Sequence, residues 1–359
     1  MKNIEVIDNE MLNIYKMVAP GTVLREGLEN IIKAKTGALI VISDSEEVLK
    51  IADGGFKLEQ DFTPATIYEL SKMDGAIIIS KDLKKILRAN VQLVPDHLIK
   101  TVETGTRHRT AERTAKQTNE LVICISQRRG VITVFKGNIR YVISDTASVM
   151  TRANQTLQVL EKDKVVLDNM LNVLSEHEFD DIVSLDTVAS SIYRSEIIMR
   201  MQPEVVRNMA ELGDEGSLIN SQFEEIMNNV EDEELKIIKD YMKTSKKKPE
   251  KILEDIRNLD KKDLLIPEKI VKILGYNTEP DIWDKTISSR GYRIVSKIPK
   301  MPNAVIDKLI QKFDTLQGIC SASIEELDEV EGIGEIRAKI INQTLRRLQE
   351  QYVLKGYDF

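Results

Sequence analysis

Two arginines, a histidine and two threonines stand together in residues 105–110, Gly-Thr-Arg-His-Arg-Thr. Guanidinium groups bind phosphate oxygens in bidentate fashion, and such crowded cations are stabilised by a shared anion. The glycine allows the backbone to approach an anion closely. Residues 110–117 favour a helix, whose free N–H groups would also attract negative charge. The segment is therefore interpreted as a loop at a helix N-terminus that binds a polyphosphate. A solvated basic turn is the alternative.

A carboxylate stands in a second segment, Asp74-Gly75-Ala76, directly before an apolar run. Asp-Gly is a common turn dipeptide, so a plain turn is one interpretation. The other is a carboxylate at a strand end that holds a divalent cation against phosphate oxygens. Together with residues 105–110 it would form a nucleotidyl-transfer site, which works by positioning and charge neutralisation. The sequence has neither a P-loop nor a Gly-x-Gly-x-x-Gly pattern after its first predicted strand.

The elements that would position these residues form an α/β domain. Short apolar runs predict buried strands at 37–43, 76–80 and 121–126, and a hairpin is predicted from 131–135 and 139–143. Helices are predicted at 11–18 and 23–33, with further helical pieces between the strands. Residues 53–55 are predicted to form a turn, and 91–95 reads as a core or loop stretch. The predicted fold is a mixed sheet covered by helices, over residues 1–145.

The remainder of the chain is predicted to be all-α. Residues 146–287 form a helical spacer that begins with a long amphipathic helix, with further helices that include 184–201 and 204–212. The acidic run 231–234 is interpreted as a solvated helix end. Residues 288–359 carry a helix–hairpin–helix pattern, Val330-Glu331-Gly332-Ile333-Gly334 followed by Ala338. Residues 298–302 resemble a second copy that lacks the glycines and is assigned to packing.

Composition limits the classes of protein. Hydrophobic residues make up 42% and charged residues 30% of the 359 positions, which is typical of folded domains. The net charge of −7 excludes a chain coated for nucleic acid, so any such contact is local. Cys124 and Cys320 lie far apart, so we expect neither a disulfide nor a cysteine metal site. The sequence contains no membrane-length apolar run and no signal peptide, which predicts a cytoplasmic protein without a membrane partner.

The pair Asp74-Gly75-Ala76 and Gly105–Arg109 resembles the signature of diadenylate cyclase (DAC) domains, over roughly residues 10–145, and Ser126–Gly130 fits the same family. The resemblance implies condensation of two ATP molecules to cyclic di-AMP with release of two pyrophosphates, and Mg²⁺ or Mn²⁺ as cofactor. It implies that Asp74 binds the metal and helps activate the ribose 3′-hydroxyl, that Gly75 lies against the nucleotide and that Leu93 packs on adenine. It assigns the phosphates to Thr106, Arg107, His108, Arg109, Thr110, Ser126 and Arg128. Glu112 and Arg113 depart from the small residues of shorter family members.

The product has two-fold symmetry and each domain carries one copy of the motifs, so two domains must meet face to face. The C-terminal pattern resembles the tandem helix–hairpin–helix module of DNA repair proteins, which implies a phosphate contact without base readout at Gly332, Gly334, Arg337 and Lys339. The whole chain resembles diadenylate cyclases that carry such a module, which implies an octamer inhibited by branched DNA. Two alternatives are a DNA-binding repair or scanning factor that only senses ATP, and a C-terminal module that recruits proteins.

Overall fold

The computed structural model describes residues 9–243 and 247–355, with no side-chain description for 353–355. It divides into two compact units, and the chain passes between them at 153/154, 206/207 and 218/219. No helix in the described ranges is both long enough and apolar enough to span a bilayer. Both cysteines are free, as expected.

The first unit contains a mixed sheet in the order β2-β5-β4-β1-β6-β7-β8, with β3 also paired to β5. β1 and β4 are parallel, and the other neighbours are antiparallel. Its strands are β1 (Ala38–Ile42), β2 (Ala52–Asp53), β3 (Phe56–Asp61), β4 (Ala76–Ile79), β5 (Lys85–Leu93), β6 (Leu121–Ser126), β7 (Val131–Lys136) and β8 (Ile139–Val142). Its early helices are α1 (Asn9–Met17), α2 (Val23–Lys33), α3 (Glu46–Lys50), α4 (Pro64–Leu70) and α5 (Thr106–Thr118).

Helices cover both faces of this sheet, because the central strands are apolar on both sides. Alternate residues of β1, such as Ile40 and Ile42, pack with Leu28 of α2 and Ile67 of α4. The intervening residues, such as Val41, pack in a separate cluster with Ala111 and Ala115 of α5. The predicted mixed sheet covered by helices is confirmed.

Helices make up the remainder of the described chain. They are α6 (Thr146–Asp180), α7 (Leu185–Leu212), α8 (Ser217–Met227), α9 (Val230–Tyr241), α10 (Pro249–Arg257), α11 (Lys261–Leu264), α12 (Pro267–Ile273), α13 (Tyr292–Val295), α14 (Asn303–Phe313), α15 (Leu316–Ser321), α16 (Ile324–Asp328) and α17 (Glu335–Lys355). One apolar cluster joins α7, α9, α10 and α12, and another joins α13 to α17 with Phe179.

The predicted break between helices 184–201 and 204–212 is wrong, because α7 continues through Pro203. Proline there removes the N–H that would bond to the carbonyl of Met199. Ile198 and Val205, which lie on either side of Pro203, are both fully buried. Burial of this apolar face offsets the lost hydrogen bond, which sequence propensity alone does not include.

A buried ion pair attaches the helix–hairpin–helix region to the spacer helices within the second unit. Arg293 is fully buried and bonds to the carboxylate of Glu178 and, at 2.8 Å, to Ser175 Oγ. Asp240 accepts hydrogen bonds from the backbone N–H groups of Tyr292 and Arg293, at 2.6 and 3.0 Å. Burial, and next the charge of Glu178, raise the pKa of Asp240 to about 7. The start of α13 is therefore fixed by polar groups that water does not reach.

Replacing Arg293 with methionine should destabilise the chain by about 3–5 kcal/mol, because it leaves the Glu178 carboxylate buried without its cation. The measurement is the urea midpoint of the second unit's unfolding in the full-length protein. The double variant Arg293→Met, Glu178→Met should lose clearly less stability, since neither charge is then buried. Equal losses in the two variants would contradict this account of the pair.

Candidate functional site

The candidate nucleotide site lies where three neighbouring strands meet one edge of the sheet. Ile40 of β1 pairs with Ile77 of β4, and Ala38 pairs with Ile125 of β6. The β1–β6 register, continued by one residue, places Gly37 beside Ser126. Asp74 lies two residues before β4, which is parallel to β1, so it is at the same edge of the sheet.

The side chain of Arg107 occupies the space above Gly37. A Cβ atom at Gly37 would overlap the Arg107 Nη1 atom and lie 3.1 Å from the Ile125 carbonyl oxygen. A guanidinium therefore sits between the strand that follows Asp74 and the strand that ends at Ser126. Gly37 was not predicted as a site residue, and its only sequence signal is a glycine directly before a buried strand.

Arg107, His108 and Arg109 lie in the first turn of α5, so their predicted placement in a loop is wrong. Gly105 is the N-cap, and the N–H of Arg109 bonds to the Gly105 carbonyl at 2.9 Å. The helix starts early because its buried alanines, 111 and 115, pack against the sheet. Gly105 supplies no side-chain cap, which leaves the first N–H groups of α5 available to an anion. Thr106 and Arg109 are exposed, and Arg107, His108 and Thr110 are half-buried.

Positive charge surrounds His108. Burial lowers its pKa most, the nearby carboxylate of Glu103 raises it, and the cations Arg107, Arg129 and Arg140 lower it further. Together these effects lower the pKa of His108, which favours the neutral imidazole with one N–H donor and one acceptor nitrogen. Arg140 Nε lies 2.6 Å from Glu103 Oε1. Neither Glu103 nor Arg140 was predicted as a site residue: Arg140 comes from β8, distant along the chain, and Glu103 precedes Gly105 without belonging to a recognised motif.

Gly75 directly precedes β4, and Leu93 is the last residue of the neighbouring strand β5. Gly75 has a φ of +92°, and a Cβ there would lie 2.8 Å from both the Asn90 carbonyl carbon and the Val91 oxygen. Ala76 pairs with Val91, so the end of β5 at Leu93 runs beside Asp74 and Gly75. Leu93 is 7% exposed. The backbone at Gly75 approaches β5 so closely that a side chain would not fit.

Ser126 ends β6 and begins the turn that carries Arg128. The Ser126 carbonyl accepts a hydrogen bond from Gly130 N at 2.8 Å, and its Oγ accepts one from Arg129 N at 3.3 Å. Arg128 is exposed in this turn. The turn therefore presents Ser126 at the same sheet edge as Arg107.

Asp74 is exposed at this edge of the sheet. No group of three or more His, Cys, Asp or Glu side chains in residues 9–243 and 247–355 could hold a metal ion. Mg²⁺ commonly binds through one or two carboxylates plus substrate phosphates, keeping several waters. A single exposed carboxylate beside an arginine-lined phosphate site has the chemistry for that mode.

The acidic run in α9 is only partly solvated, so its interpretation as a solvated helix end is wrong for Glu234. Glu231 and Asp232 are exposed and pair with Arg257 and Lys236, at 2.9 and 2.6 Å. Glu234 is fully buried, and burial and next the charge of Glu196 raise its pKa. The buried face of α9 includes position 234, so packing decides its environment.

A cavity of about 600 Å³ between α9 and α10 is lined by none of the predicted site residues.

The helix–hairpin–helix pattern is present as α16, a hairpin and α17. Gly332 has a φ of +93°, and a Cβ at Gly334 would meet no atom within 4 Å. Arg337 Nη1 bonds back to the Gly332 carbonyl, and Lys339 pairs with Glu335 at 2.6 Å. Gly332 and Gly334 are both exposed, so the backbone of the hairpin is accessible to a phosphate.

The degenerate copy repeats the backbone of this hairpin 32 positions earlier. Lys300, at the position of Gly332, also has a positive φ, of +60°. Two hydrogen bonds recur: Val330 N to Leu327 O matches Ile298 N to Val295 O, and Ala338 N to Gly334 O matches Ile306 N to Pro302 O. The prediction that 298–302 forms a second hairpin is supported by this repeat.

Comparison with known proteins gives two family matches and several close relatives. Residues 25–139 match the family described as DisA bacterial checkpoint controller nucleotide-binding, and 143–282 match the DisA bacterial checkpoint controller linker region. The chain is 53% identical to the DNA integrity scanning protein DisA of Acetivibrio thermocellus, covering 97% of this chain and 96% of that protein. It is 53% identical to DisA of Carboxydothermus hydrogenoformans, over 96% and 98% of the two chains. DisA of Clostridium botulinum is 51% identical over 97% and 98%.

Alanine at Gly37 and at Gly75 should have different effects. Gly37→Ala meets the flexible end of Arg107, so it should displace that guanidinium and weaken ATP binding with little loss of stability. Gly75→Ala meets backbone atoms at a left-handed φ and should cost about 1–3 kcal/mol of stability. Thermal melting and equilibrium ATP binding measure the two effects. Undiminished ATP affinity in a folded Gly37→Ala protein would remove Arg107 from the nucleotide site.

Proposed function

We infer the function of this chain from its membership of the DisA family of DNA integrity scanning proteins, to which it belongs over nearly its full length. It is a diadenylate cyclase, a nucleotidyltransferase that makes cyclic di-AMP. We propose that its residues act as follows: Arg107, His108 and Arg109, with Thr106 and Thr110, hold the phosphates of ATP at the start of α5. Ser126 and Arg128 contribute from the turn after β6. Gly75 and Leu93 form the nucleotide-facing side of β4 and β5.

One observation supports this proposal most: Asp74 precedes β4, Ser126 ends β6, and the Arg107 guanidinium lies above Gly37, which precedes β1 between those two strands. Asp74 would orient the attacking ribose 3′-hydroxyl and hold the divalent metal that the family uses, for which we propose Mg²⁺ or Mn²⁺. A bound metal would neutralise phosphate charge. The arginines would stabilise the charge that develops as the α-phosphate is attacked and pyrophosphate leaves.

Ring closure requires two such sites. In cyclic di-AMP each 3′-oxygen is joined to the phosphate of the other nucleotide, and each chain supplies one Asp74 and one Arg107. We propose that two copies face each other through an isologous contact, within an octamer that carries the DNA modules outward. A cytoplasmic location is part of the same proposal.

The C-terminal hairpin is proposed as a DNA backbone contact at Gly332, Gly334, Arg337 and Lys339. Acidic residues beside the hairpin are paired with lysines: Glu331 with Lys308 and Glu329 with Lys312, both at 2.8 Å. This pairing reduces the electrostatic repulsion between these carboxylates and a DNA phosphate. Residues 291–359 carry no net charge. We propose that bound branched DNA, recognised without sequence preference, inhibits the cyclase. We propose domain boundaries at 145/146 and 287/288, and the separate apolar clusters of α7 to α12 and of α13 to α17 support the second of them.

A protein that only senses ATP while scanning DNA is the second candidate. The exposed hairpin favours DNA contact in either case, so the difference lies in whether bound ATP is converted. A cyclase assay separates the two candidates directly.

Asp74→Asn should lower the rate of cyclic di-AMP formation about 100-fold or more, because it removes the charge that holds the metal and orients the 3′-hydroxyl. The assay incubates the protein with ATP and Mg²⁺ or Mn²⁺ and measures the product by mass spectrometry. Lys33→Met, a charge loss at an exposed position of α2, should behave as wild type. If wild type binds ATP but leaves it unchanged, the sensor is the correct function.

Gly334→Leu should weaken binding to a four-way DNA junction by about tenfold or more, because the side chain would fill the open space where a phosphate approaches. The fold should be unaffected, since no chain atom lies in that space. Pro302→Leu, at the equivalent position of the other hairpin, is the matched control. Salt-titrated fluorescence anisotropy measures the affinity, and junction inhibition of the cyclase should weaken in parallel. Unchanged affinity would favour a protein-recruiting module.

A further inference from the structure

The segment between β5 and α5, residues 94–105, connects two parts of the proposed nucleotide site. It follows Leu93 and ends at the N-cap of α5. It contains no helix or strand. A segment of this kind would be mobile unless other parts of the chain fixed its backbone.

Apolar burial does not fix this segment. Leu98 is 76% exposed and Val102 is 81% exposed. Val94 is 56% exposed as well. Of its apolar side chains only Pro95 and Ile99 are half-buried, so polar contacts supply most of the restraint.

Glu112 supplies one group of these contacts from α5. Its carboxylate accepts hydrogen bonds from Thr101 Oγ1 and, at 3.2 Å, from Val102 N. Lys116 Nζ lies 2.7 Å from the other oxygen, and Glu112 is 5% exposed. Burial acts to raise the pKa of Glu112, but hydrogen bonds from Lys116 and Thr101 bring it below the ordinary value. The carboxylate is thus ionised and fully engaged at neutral pH.

Neighbouring α5 residues bind the backbone of the same segment. Arg113 donates from Nε to the Ile99 carbonyl and from Nη2 to the His97 carbonyl, both at 2.9 Å. Lys116 Nζ also donates to the Lys100 carbonyl at 3.0 Å, and Gln117 accepts from Asp96 N at 2.8 Å. The contacts reach main-chain atoms from 96 to 102, so they fix the path of the segment whatever its side chains are.

We propose that Glu112 and Arg113 are positioning residues for the nucleotide. They hold residues 96–102 against α5, so that Leu93 and the first turn of α5 keep their relative placement before ATP binds. The same arrangement keeps Glu103 beside Arg140 and His108. Without it, ATP binding must order the segment, and that entropy cost lowers affinity. This inference rests on the proposed function, since it concerns the same site.

The test uses two variants. Arg113→Met keeps the alkyl stem and removes both hydrogen bonds to backbone carbonyls. Glu112→Gln weakens the contacts that the Glu112 carboxylate makes with the segment. We expect faster amide hydrogen exchange at 96–102 in the full-length protein without nucleotide. The KM for ATP should rise about tenfold with kcat changed less than about twofold, because bound ATP restores the order. Arg113→Lys should recover part of the loss. Lys33→Met is the charge-matched control.

Each outcome decides the proposal. Wild-type exchange at 96–102, or faster exchange with unchanged ATP affinity, would overturn it. A fall in kcat at unchanged KM would overturn it too, because that result places the residues in the chemical step. If the wild-type protein makes no cyclic product, the proposed function fails. Amide hydrogen exchange and equilibrium ATP binding then still decide whether the segment is held in place for the nucleotide. Thermal melting verifies that each variant is folded.

Discussion

The register of β1 between its two neighbours is the constraint on which the nucleotide site depends. All residues of β1 are buried, so its alternating side chains are committed to two different apolar clusters. A slip by one residue would move each side chain to the wrong face of the sheet. The same slip would remove Gly37 from Arg107 and from its place between Asp74 and Ser126. Apolar packing that takes no part in the chemistry thus determines where charged groups meet.

Much of the fold could be predicted because local patterns agree with tertiary packing. The helix at 23–33 and the strand at 121–126 have the predicted bounds, and the β7–β8 hairpin was also expected. β5 was missed because its alternation is interrupted. Ile86 is buried, the next buried residue is Ala89, and alternation continues to Val91 and Leu93. Asn90, with a φ of +54°, accompanies the irregular pairing with β4. A pattern search that assumes one phase along the strand cannot detect this change.

The site was predictable where its residues are neighbours in sequence and not where they meet across elements. The arginines of α5 and the carboxylate before β4 form recognisable segments. Gly37 and Arg140 acquire their roles from contacts with α5, so nothing in their local sequence marks them. The polar contacts of Glu112 and Arg113 are of the same kind, since they connect α5 to a segment that precedes it. Motif recognition finds the groups that we propose to touch substrate, and three-dimensional structure is needed for the groups that place them.

The two hairpins near the C-terminus show that the same backbone conformation forms both with and without the glycine that usually occupies it. Lys300 occupies the left-handed conformation that Gly332 adopts 32 positions later, although an L side chain there costs about 1–3 kcal/mol. The surrounding apolar core, which includes Ile298 and Val330, keeps both turns in place. A survey of such modules by glycine pattern would count one unit where the backbone contains two. Dihedral angles and hydrogen-bond spacing therefore reveal the repeated hairpin in this part of the chain more completely than residue identity does.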